Sequence, residues 1–289
     1  MEARLTGLNV YPLKSGGGTA LRAADLLPSG LRYDREFMLV RPDGRFLSQR
    51  DLARMAVLRP VYDGEVLTVD VADPALAFAP LVHKPVEHGR VLDVRVHRSD
   101  CQGVDQGDEA ADWFSALLAT ECRLVRFTGE RRTSRGDGVV AFADSYPLLV
   151  ISVESLADLN ARIAANGGEG PLPMNRFRPN LVVEGLGAYG EDRVRVLRIG
   201  GTVIEMIKSC GRCVVTTTDQ DSGARGREPL RTLAGYRRYD GAVRFGHNAV
   251  PRVTGPLAVG DPVEVLEATE PDRGTEAGGP AAELNNSEE

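Results

Sequence analysis

The sequence predicts an α+β protein built mostly from β-strands. Short runs that alternate apolar and polar residues, such as 66–71 and 91–96, recur at close spacing with turns such as Asp63-Gly64 between them. This pattern is typical of a barrel or a sandwich. In two longer segments, apolar residues instead repeat at the spacing of one face of an α-helix. With 289 residues and 42% hydrophobic composition, the chain can form one large domain or two smaller ones.

The N-terminal segment predicts a strand at 5–11, followed by Lys14, Ser15 and three glycines. A glycine triplet after a strand indicates backbone that bends or closely approaches another segment. The segment is not a nucleotide-hydrolase phosphate loop, because the lysine precedes the glycines and no helical pattern follows. Lys14 and Ser15 can present an ammonium and a hydroxyl to an anion, although spacing alone favours a solvated loop.

A hairpin is predicted next, with strands at 36–40 and 45–48. Arg35 opens this hairpin beside Asp34, and an ordinary surface ion pair is the simplest interpretation of the two charges. Further short strands are predicted at 56–58, 66–71 and 91–96. The histidines of this half are scattered, and we expect them to be structural or exposed: His83, His88 and His97.

Two helices are predicted from residues that repeat with helical spacing. The first, 109–119, follows Gly107-Asp108 and places Trp113, Phe114, Leu117 and Leu118 on one core-facing side. The second begins at Ser152, directly after the wholly apolar strand 148–151, and ends at Asn166-Gly167. A third, short helix is predicted within 228–235.

The second half contains the residues best suited to bind an anion or a metal. A hairpin formed by 194–199 and 202–207 delivers Cys210 and Cys213. Earlier, Arg176 and Arg178 lie two apart where a strand is expected, so they are predicted to face the same way. Arginines on one face repel each other unless an anion or carboxylates lie between them.

Four interpretations compete for the Cys210-x-x-Cys213 pair. A zinc ribbon needs a second cysteine pair or a histidine pair, and the sequence offers neither at suitable spacing. A thioredoxin-type pair begins a helix, whereas the β-branched run 214–218 favours a strand. Two buried structural cysteines remain an open interpretation. The fourth, one thiolate bound to a metal cofactor, depends on other residues of the chain.

The charge of the chain is concentrated at its C-terminus. Residues 268–289 hold six acidic residues and one arginine, so they contribute −5 of the chain's net charge of −6. The segment is also rich in Gly, Ala and Pro. This tail is predicted to be disordered. The rest is close to neutral and has no basic run, so no nucleic-acid partner is expected.

The apolar patterning argues against secretion and against a membrane partner. No apolar run approaches the ~20 residues that span a bilayer, and the N-terminus lacks the apolar core of a signal peptide. Four cysteines with a Cys-x-x-Cys pair do not form a secreted disulfide pattern. A cytoplasmic protein is therefore expected.

Several short motifs, taken in order, resemble the MOSC family. The resemblance is to its two-domain members with an N-terminal β-barrel, which include the mitochondrial amidoxime-reducing component and bacterial counterparts. The motifs span most of the chain before the tail and lie at 11–15, 34–35, 177–180, 210–219, 228–230 and 259–263. The resemblance implies a β-barrel-like domain at 1–127 packed on a MOSC β-barrel domain at 128–267, followed by the tail at 268–289.

The resemblance also implies a molybdenum–molybdopterin cofactor. Family members bind the metal through one thiolate, which corresponds here to Cys213, and Cys213 is thus also the expected catalytic residue. The positions that match the family's cofactor-binding residues are Lys14, Ser15, Arg35, Ser145, Tyr146, Arg178, Asn180, Gly211 and Arg212. Gly211 stands where the mitochondrial proteins have serine, so a hydroxyl contact there becomes a backbone contact. Cys210 is expected to be structural.

The activity that this resemblance implies is reduction of small N-oxygenated, or N-hydroxylated, substrates. No cysteine follows Cys213, so no iron–sulfur centre is expected and a separate ferredoxin, flavoprotein or cytochrome would supply electrons. The alternative is a carrier of molybdenum cofactor or sulfur, because MOSC domains also end the pyridoxal-phosphate-associated cofactor sulfurases. A non-catalytic binding module is a further alternative.

Overall fold

The computed structural model describes residues 2–73, 76–129, 131–133 and 138–270. Strands dominate the described part and three α-helices accompany them, which confirms the predicted α+β, mostly β class. The helices are α1 (Asp108–Leu118), α2 (Val153–Ala165) and α3 (Leu230–Ala234). The strands are β1 (Arg4–Val10), β2 (Thr19–Leu21), β3 (Ala23–Leu27), β4 (Gly30–Leu31), β5 (Phe37–Val40), β6 (Leu58–Tyr62), β7 (Leu67–Val71), β8 (Leu81–His83), β9 (Val91–Val96), β10 (Ser99–Asp105), β11 (Arg123–Phe127), β12 (Arg131–Arg132), β13 (Val139–Val140), β14 (Leu148–Ser152), β15 (Leu181–Glu184), β16 (Val194–Ile199), β17 (Thr202–Gly211), β18 (Arg238–Tyr239), β19 (Ala242–Val253), β20 (Gly255–Ala258) and β21 (Val263–Ala268).

The largest sheet joins both halves of the chain. Its strands lie in the order β2-β1-β15-β14-β19-β17-β16-β21, with β18 paired to β19. β1 runs antiparallel to β15, and β15 runs parallel to β14. The end of β1 therefore lies beside the starts of β15 and β14. The loops at this edge contain several of the predicted site residues.

The N-terminal half has its own sheets and core. One sheet has the order β5-β11-β10-β9 and another β6-β7-β8. Helix α1 packs between them, and Phe114, Leu117 and Leu118 are buried in one cluster with Phe37 and Leu58. The core role predicted for the stripe of α1 is therefore confirmed.

Strand β14 is wholly apolar because both of its faces are covered. Leu148 and Val150 pack into the cluster beneath the large sheet. Leu149 and Ile151 point the other way, into the cluster formed with α2 and α3. Helix α2 begins at Ser152, whose side chain accepts a hydrogen bond from the Ser155 N–H, as its predicted N-cap position requires.

The two predicted domains share strand pairings. β1 and β3, from the first half, pair with β15 and β20, from the second, and the boundary at 127 stays a prediction. The tail predicted from 268 begins too early, because Ala268 still pairs with Val194 in β21. Residues 271–289 of that tail lie outside the described residues. Of the described helices, none has the length and apolar composition needed to cross a membrane.

Two predicted strands are wrong, and a third is shorter than expected. Residues 214–217 form a 3₁₀ helix, because the Thr216 and Thr217 hydroxyls donate to carbonyls three residues back and support a turn. Residues 56–57 belong to the 3₁₀ helix Ala53–Val57, and the strand begins only at Leu58. The segment 45–48 returns beside β5 as predicted but is not a full strand. Phe46 forms an antiparallel bridge with Val40, and the Leu47 N–H donates to the Leu39 carbonyl at 2.8 Å.

Candidate active site

A cleft of about 430 Å³ lies where the two halves of the chain meet. It brings together every residue that the sequence analysis placed at the cofactor site, although what each binds stays a prediction. These residues are Lys14, Ser15, Arg35, Ser145, Tyr146, Arg178, Asn180, Gly211, Arg212 and Cys213. The cleft is strongly cationic, with one carboxylate, that of Asp144, among its described lining residues.

Lys14 is buried, so the expectation of a solvated loop is wrong. The residue is 5% exposed, and its ammonium donates to the Phe142 carbonyl at 2.7 Å and pairs with the Asp144 carboxylate. Burial lowers the pKa of Lys14, although Asp144 opposes that shift. The glycines that follow allow close approach, since a Cβ on Gly17 would lie 2.6 Å from the Leu58 carbonyl oxygen.

Two guanidinium groups contact the Tyr11 ring. The central carbon of Arg35 is 4.5 Å from the centre of its ring and that of Arg178 is 4.3 Å away. The phenol donates to the Pro179 carbonyl at 3.1 Å, and burial raises the pKa of Tyr11 to about 12. Tyr11 thus stays neutral, and its ring contacts two like charges through cation–π interactions.

Arg35 and Asp34 form a buried pair, which corrects the expectation of a surface ion pair. Their side chains are 15% and 2% exposed. Asp34 also accepts the Tyr11 N–H at 2.9 Å, which ties this pair to the end of β1. Arg35 has a left-handed backbone, with φ of 51°, and its second contact is the Asn180 amide oxygen at 3.0 Å.

Asn180 acts as a brace within the protein. It is 1% exposed. Its amide oxygen accepts from Arg35 and from the Leu149 N–H at 3.2 Å, and its amide nitrogen donates to the Asn9 carbonyl at 3.2 Å. Because these contacts occupy the amide, Asn180 contributes to the cleft by fixing the direction of Arg35.

The two arginines before β15 do not share a face. A 3₁₀ turn at Met174–Arg176 and a left-handed Arg178, with φ of 57°, replace the expected strand. Arg176 turns away to Asp219 and the Thr217 carbonyl, each at 3.0 Å. Arg178 lines the cleft and donates to the Gly16 carbonyl. Burial, with the neighbouring Arg35 charge, lowers the pKa of Arg178 to about 10.

The cysteine segment closes the cleft from β17. Cys210 is half-buried against the α2 and α3 core, and its sulfur accepts from Arg212 Nη1 at 3.2 Å. Arg212 Nη2 donates to the Phe177 carbonyl at 2.7 Å. Its Nε is buried without a hydrogen-bond partner among the described residues. Cys213 begins the 3₁₀ helix, so the strand-based argument against a helical cysteine site does not hold.

Arg50 faces the Cys213 thiol across the cleft. Partial burial would lower the pKa of Arg50, but its hydrogen bond to the Cys213 sulfur raises it, and Asp144 adds to that effect. No local pattern around Arg50 signals this contact, since the two residues meet only through the fold.

Sequence reasoning also missed other lining residues. His97, expected to be structural or exposed, lines the cleft, and its Nε2 is 3.0 Å from Asp144 Oδ1. Asp144 directly precedes Ser145, so its position beside a predicted site residue was an available signal. Lys208 and Arg244 complete the cationic wall on β17 and β19.

Two family descriptions match the chain. The MOSC N-terminal beta barrel domain matches residues 2–121, and the MOSC domain matches residues 137–264. The chain is 33% identical over 280 residues to mitochondrial amidoxime-reducing component 1 of Mus musculus, covering 89% of this chain and 80% of that protein. This chain belongs to the two-domain MOSC family.

Other relatives of this MOSC protein support the same assignment. Mitochondrial amidoxime reducing component 2 of Bos taurus is 34% identical over 277 residues, covering 88% of this chain and 80% of that protein. Molybdenum cofactor sulfurase of Oryza sativa subsp. japonica is 33% identical over 268 residues, covering 85% of this chain but 32% of that protein.

The donors that line the MOSC cleft suit an anionic group. Among the described residues, no group of three or more His, Cys, Asp or Glu side chains could hold a metal ion. Cys210 and Cys213 both line the cleft, but the Cys210 sulfur already accepts a hydrogen bond from Arg212. Cys213 faces Arg50 and is the soft donor that we expect to be available to a metal. The unpartnered Arg212 Nε, and an Arg178 that no described carboxylate pairs with, are donors suited to an anionic group.

Proposed function

We propose that this protein is a molybdenum-cofactor-dependent oxidoreductase that reduces small N-hydroxylated compounds. The observation that carries the proposal is the Cys213 thiol, which faces Arg50, in a cleft lined by Lys14, Arg35, Arg178 and Arg212. Relatives that share about a third of its residues over most of the chain bear the name amidoxime-reducing component.

The residues of the cleft divide into two tasks toward molybdenum–molybdopterin. Cys213, which faces Arg50, would ligate the metal. The cationic side chains would hold the phosphate and pterin rim, helped by Ser15, Ser145, Tyr146 and the backbone of Gly211. When bound, this cofactor supplies two-electron redox chemistry, and the protein positions it and the substrate.

The remaining requirement is a source of electrons. The proposed reaction converts an N–OH group to N–H with loss of water, and it consumes two electrons. A separate ferredoxin, flavoprotein or cytochrome would supply them.

Metal analysis and turnover test the proposal. Protein from a host that makes the cofactor is expected to contain about one molybdenum per chain, as one thiolate ligand requires. With reduced methyl viologen as electron donor, it is expected to convert benzamidoxime to benzamidine. Stoichiometric zinc without molybdenum would overturn the proposal.

A carrier of molybdenum cofactor or sulfur is the second candidate. It is favoured by the 33% identity to a molybdenum cofactor sulfurase, of which this chain matches 32%. The two functions differ in turnover, because a carrier holds cofactor or sulfur without reducing an amidoxime catalytically. Bound molybdenum with no reduction of any N-hydroxylated substrate would favour the carrier.

A further inference from the structure

We propose that His97, held by Asp144, donates the proton that turns the leaving hydroxyl of an N-hydroxylated substrate into water. This inference rests on the proposed function and assigns a proton source within it. It begins from a contact between the two halves of the chain, inside the cleft that contains Cys213.

His97 is fixed at the cleft by both backbone and side-chain contacts. It lies in the turn between β9 and β10 and has a left-handed backbone, with φ of 55°. Its ring packs edge-on against that of Phe46, with the ring centres 4.9 Å apart, and its Nε2 is 3.0 Å from Asp144 Oδ1. Its side chain remains 37% exposed, so the imidazole can exchange protons with water.

Asp144 is suited to orient this imidazole. The same Oδ1 accepts the Lys14 ammonium, and Oδ2 is 3.9 Å from Arg50 Nη2. Burial would raise the pKa of Asp144, but Lys14 and His97 outweigh it and hold the pKa well below its usual range. An ionised carboxylate only accepts hydrogen bonds. It therefore takes the Nε2–H of His97 and leaves Nδ1 as the nitrogen that exchanges a proton.

The proposed reaction needs such a donor. Breaking the N–O bond of R–NH–OH takes two electrons and two protons and yields R–NH2 and water. The electrons come from the donor protein, one proton goes to nitrogen from water, and one goes to the departing oxygen. Histidine is the side chain whose ordinary pKa lets it gain and release a proton near neutral pH.

The other charged groups of the cleft are less suited to this step. Lys14 is buried and engaged with the Phe142 carbonyl and Asp144. Arg50 faces the Cys213 sulfur, and guanidinium groups do not release protons at neutral pH. Of the charged groups near His97, Asp144 contacts its ring directly. Lys14 and Arg50 contact Asp144, so their charges influence His97 through that carboxylate.

The test compares His97→Ala and His97→Gln with the wild-type holoprotein. Turnover of benzamidoxime with reduced methyl viologen is expected to fall about a hundredfold in both variants, as loss of a general acid does. Molybdenum content should stay unchanged. Added imidazole should restore part of the rate of His97→Ala. His88→Ala is the matched control, since His88 is exposed and does not line the cleft, and it should keep the wild-type rate.

Nitrogen NMR of the histidine rings gives a readout separate from activity. The chain has four histidines, so the His97 signals can be assigned by their loss in His97→Gln. The wild-type holoprotein is expected to show His97 with its proton on Nε2 when neutral. Asp144→Asn should remove that tautomer preference and slow turnover.

Several results would overturn the inference. Equal turnover rates for wild type and His97→Ala would overturn it. Loss of molybdenum from His97→Ala would overturn it too, because His97 would then help to hold the cofactor. A slow His97→Ala that imidazole does not restore would also exclude a proton-donating role. A molybdenum-containing wild type that reduces no N-hydroxylated compound would instead overturn the proposed function, and this inference with it.

Discussion

The two walls of the cleft differ in how their charges are partnered. The arginine wall consists of Arg35 and Arg178, which both contact the Tyr11 ring, and the histidine wall consists of Lys14, His97 and Asp144. Arg35 is 15% exposed, whereas His97 and Asp144 are 37% and 54% exposed. Burying two guanidinium groups against one carboxylate, Asp34, is costly unless an anion joins them. The arginine wall is thus suited to bind a charged group, and the histidine wall to exchange protons with water.

The largest effect is expected at the thiol between the walls. Cys213→Ser should abolish amidoxime reduction, because a hydroxyl is a poor replacement for a soft thiolate ligand. Cys210→Ser should keep much of the activity, since a serine oxygen can still accept the hydrogen bond from Arg212. Steady-state rates, with pterin and molybdenum content, measure the difference. Equal loss in two well-folded variants would contradict a single-thiolate site.

The arginine wall is tested by Arg178→Ala. We expect cofactor content to fall about tenfold or more, because a charge-assisted contact to the anion is lost. Arg176→Ala is the matched control: it lies two residues earlier, pairs with Asp219 and does not line the cleft. Molybdenum per chain in the purified variants is the measurement. If Arg176→Ala lost as much cofactor, the division between the two arginines would be wrong.

Gly17→Ala tests the backbone that supports the arginine wall. The added Cβ would lie 2.6 Å from the Leu58 carbonyl oxygen, next to Gly16, whose carbonyl accepts from Arg178. The free energy of unfolding should fall by about 1–3 kcal/mol, as for an overpacked site. Gly226→Ala, where a Cβ meets nothing within 4 Å, serves as the control in the same denaturant titration. Similar stability of the two variants would argue against this close approach.

The smallest effect is expected from Asp144→Asn on stability. The pKa of Asp144 is depressed in the folded protein, so its ionised form stabilises the fold above its ordinary pKa of about 4. That contribution is lost as pH falls below 4 toward the folded-state value. Because the side chain is 54% exposed, we expect about 1 kcal/mol or less. Denaturant unfolding at pH 7 and pH 3 measures the free energy of unfolding of both proteins. The difference between wild type and variant should be smaller at pH 3, and a difference that does not change with pH would count against the ion pair.

Local patterns predicted much of the fold. The stripes of α1 and α2, and the hairpin of β16 and β17, follow from residues that repeat within one element. The strands at 214–218 and 56–58 failed because β-branched or apolar residues also fit buried 3₁₀ turns, where tertiary contacts decide.

The site was predictable only in part. The family motifs named residues that the fold brings into one cleft. Two contacts had no local signature: Arg50 with Cys213, and His97 with Asp144. Each joins segments far apart in the chain, so neither spacing nor periodicity relates them. Arg176 and Arg178 are close in sequence but have side chains that point in different directions, because the backbone turns between them.

The shared sheet has a consequence for how the chain acquires its structure during synthesis. Leu5 and Leu8 of β1 pair with Val183 and Leu181, and Leu26 of β3 pairs with Gly255 near the other end of the described chain. The first strands to leave the ribosome thus wait for partners made near the end of translation, and such distant pairing folds slowly. Either half expressed alone would present an unpaired strand edge and would be expected to aggregate.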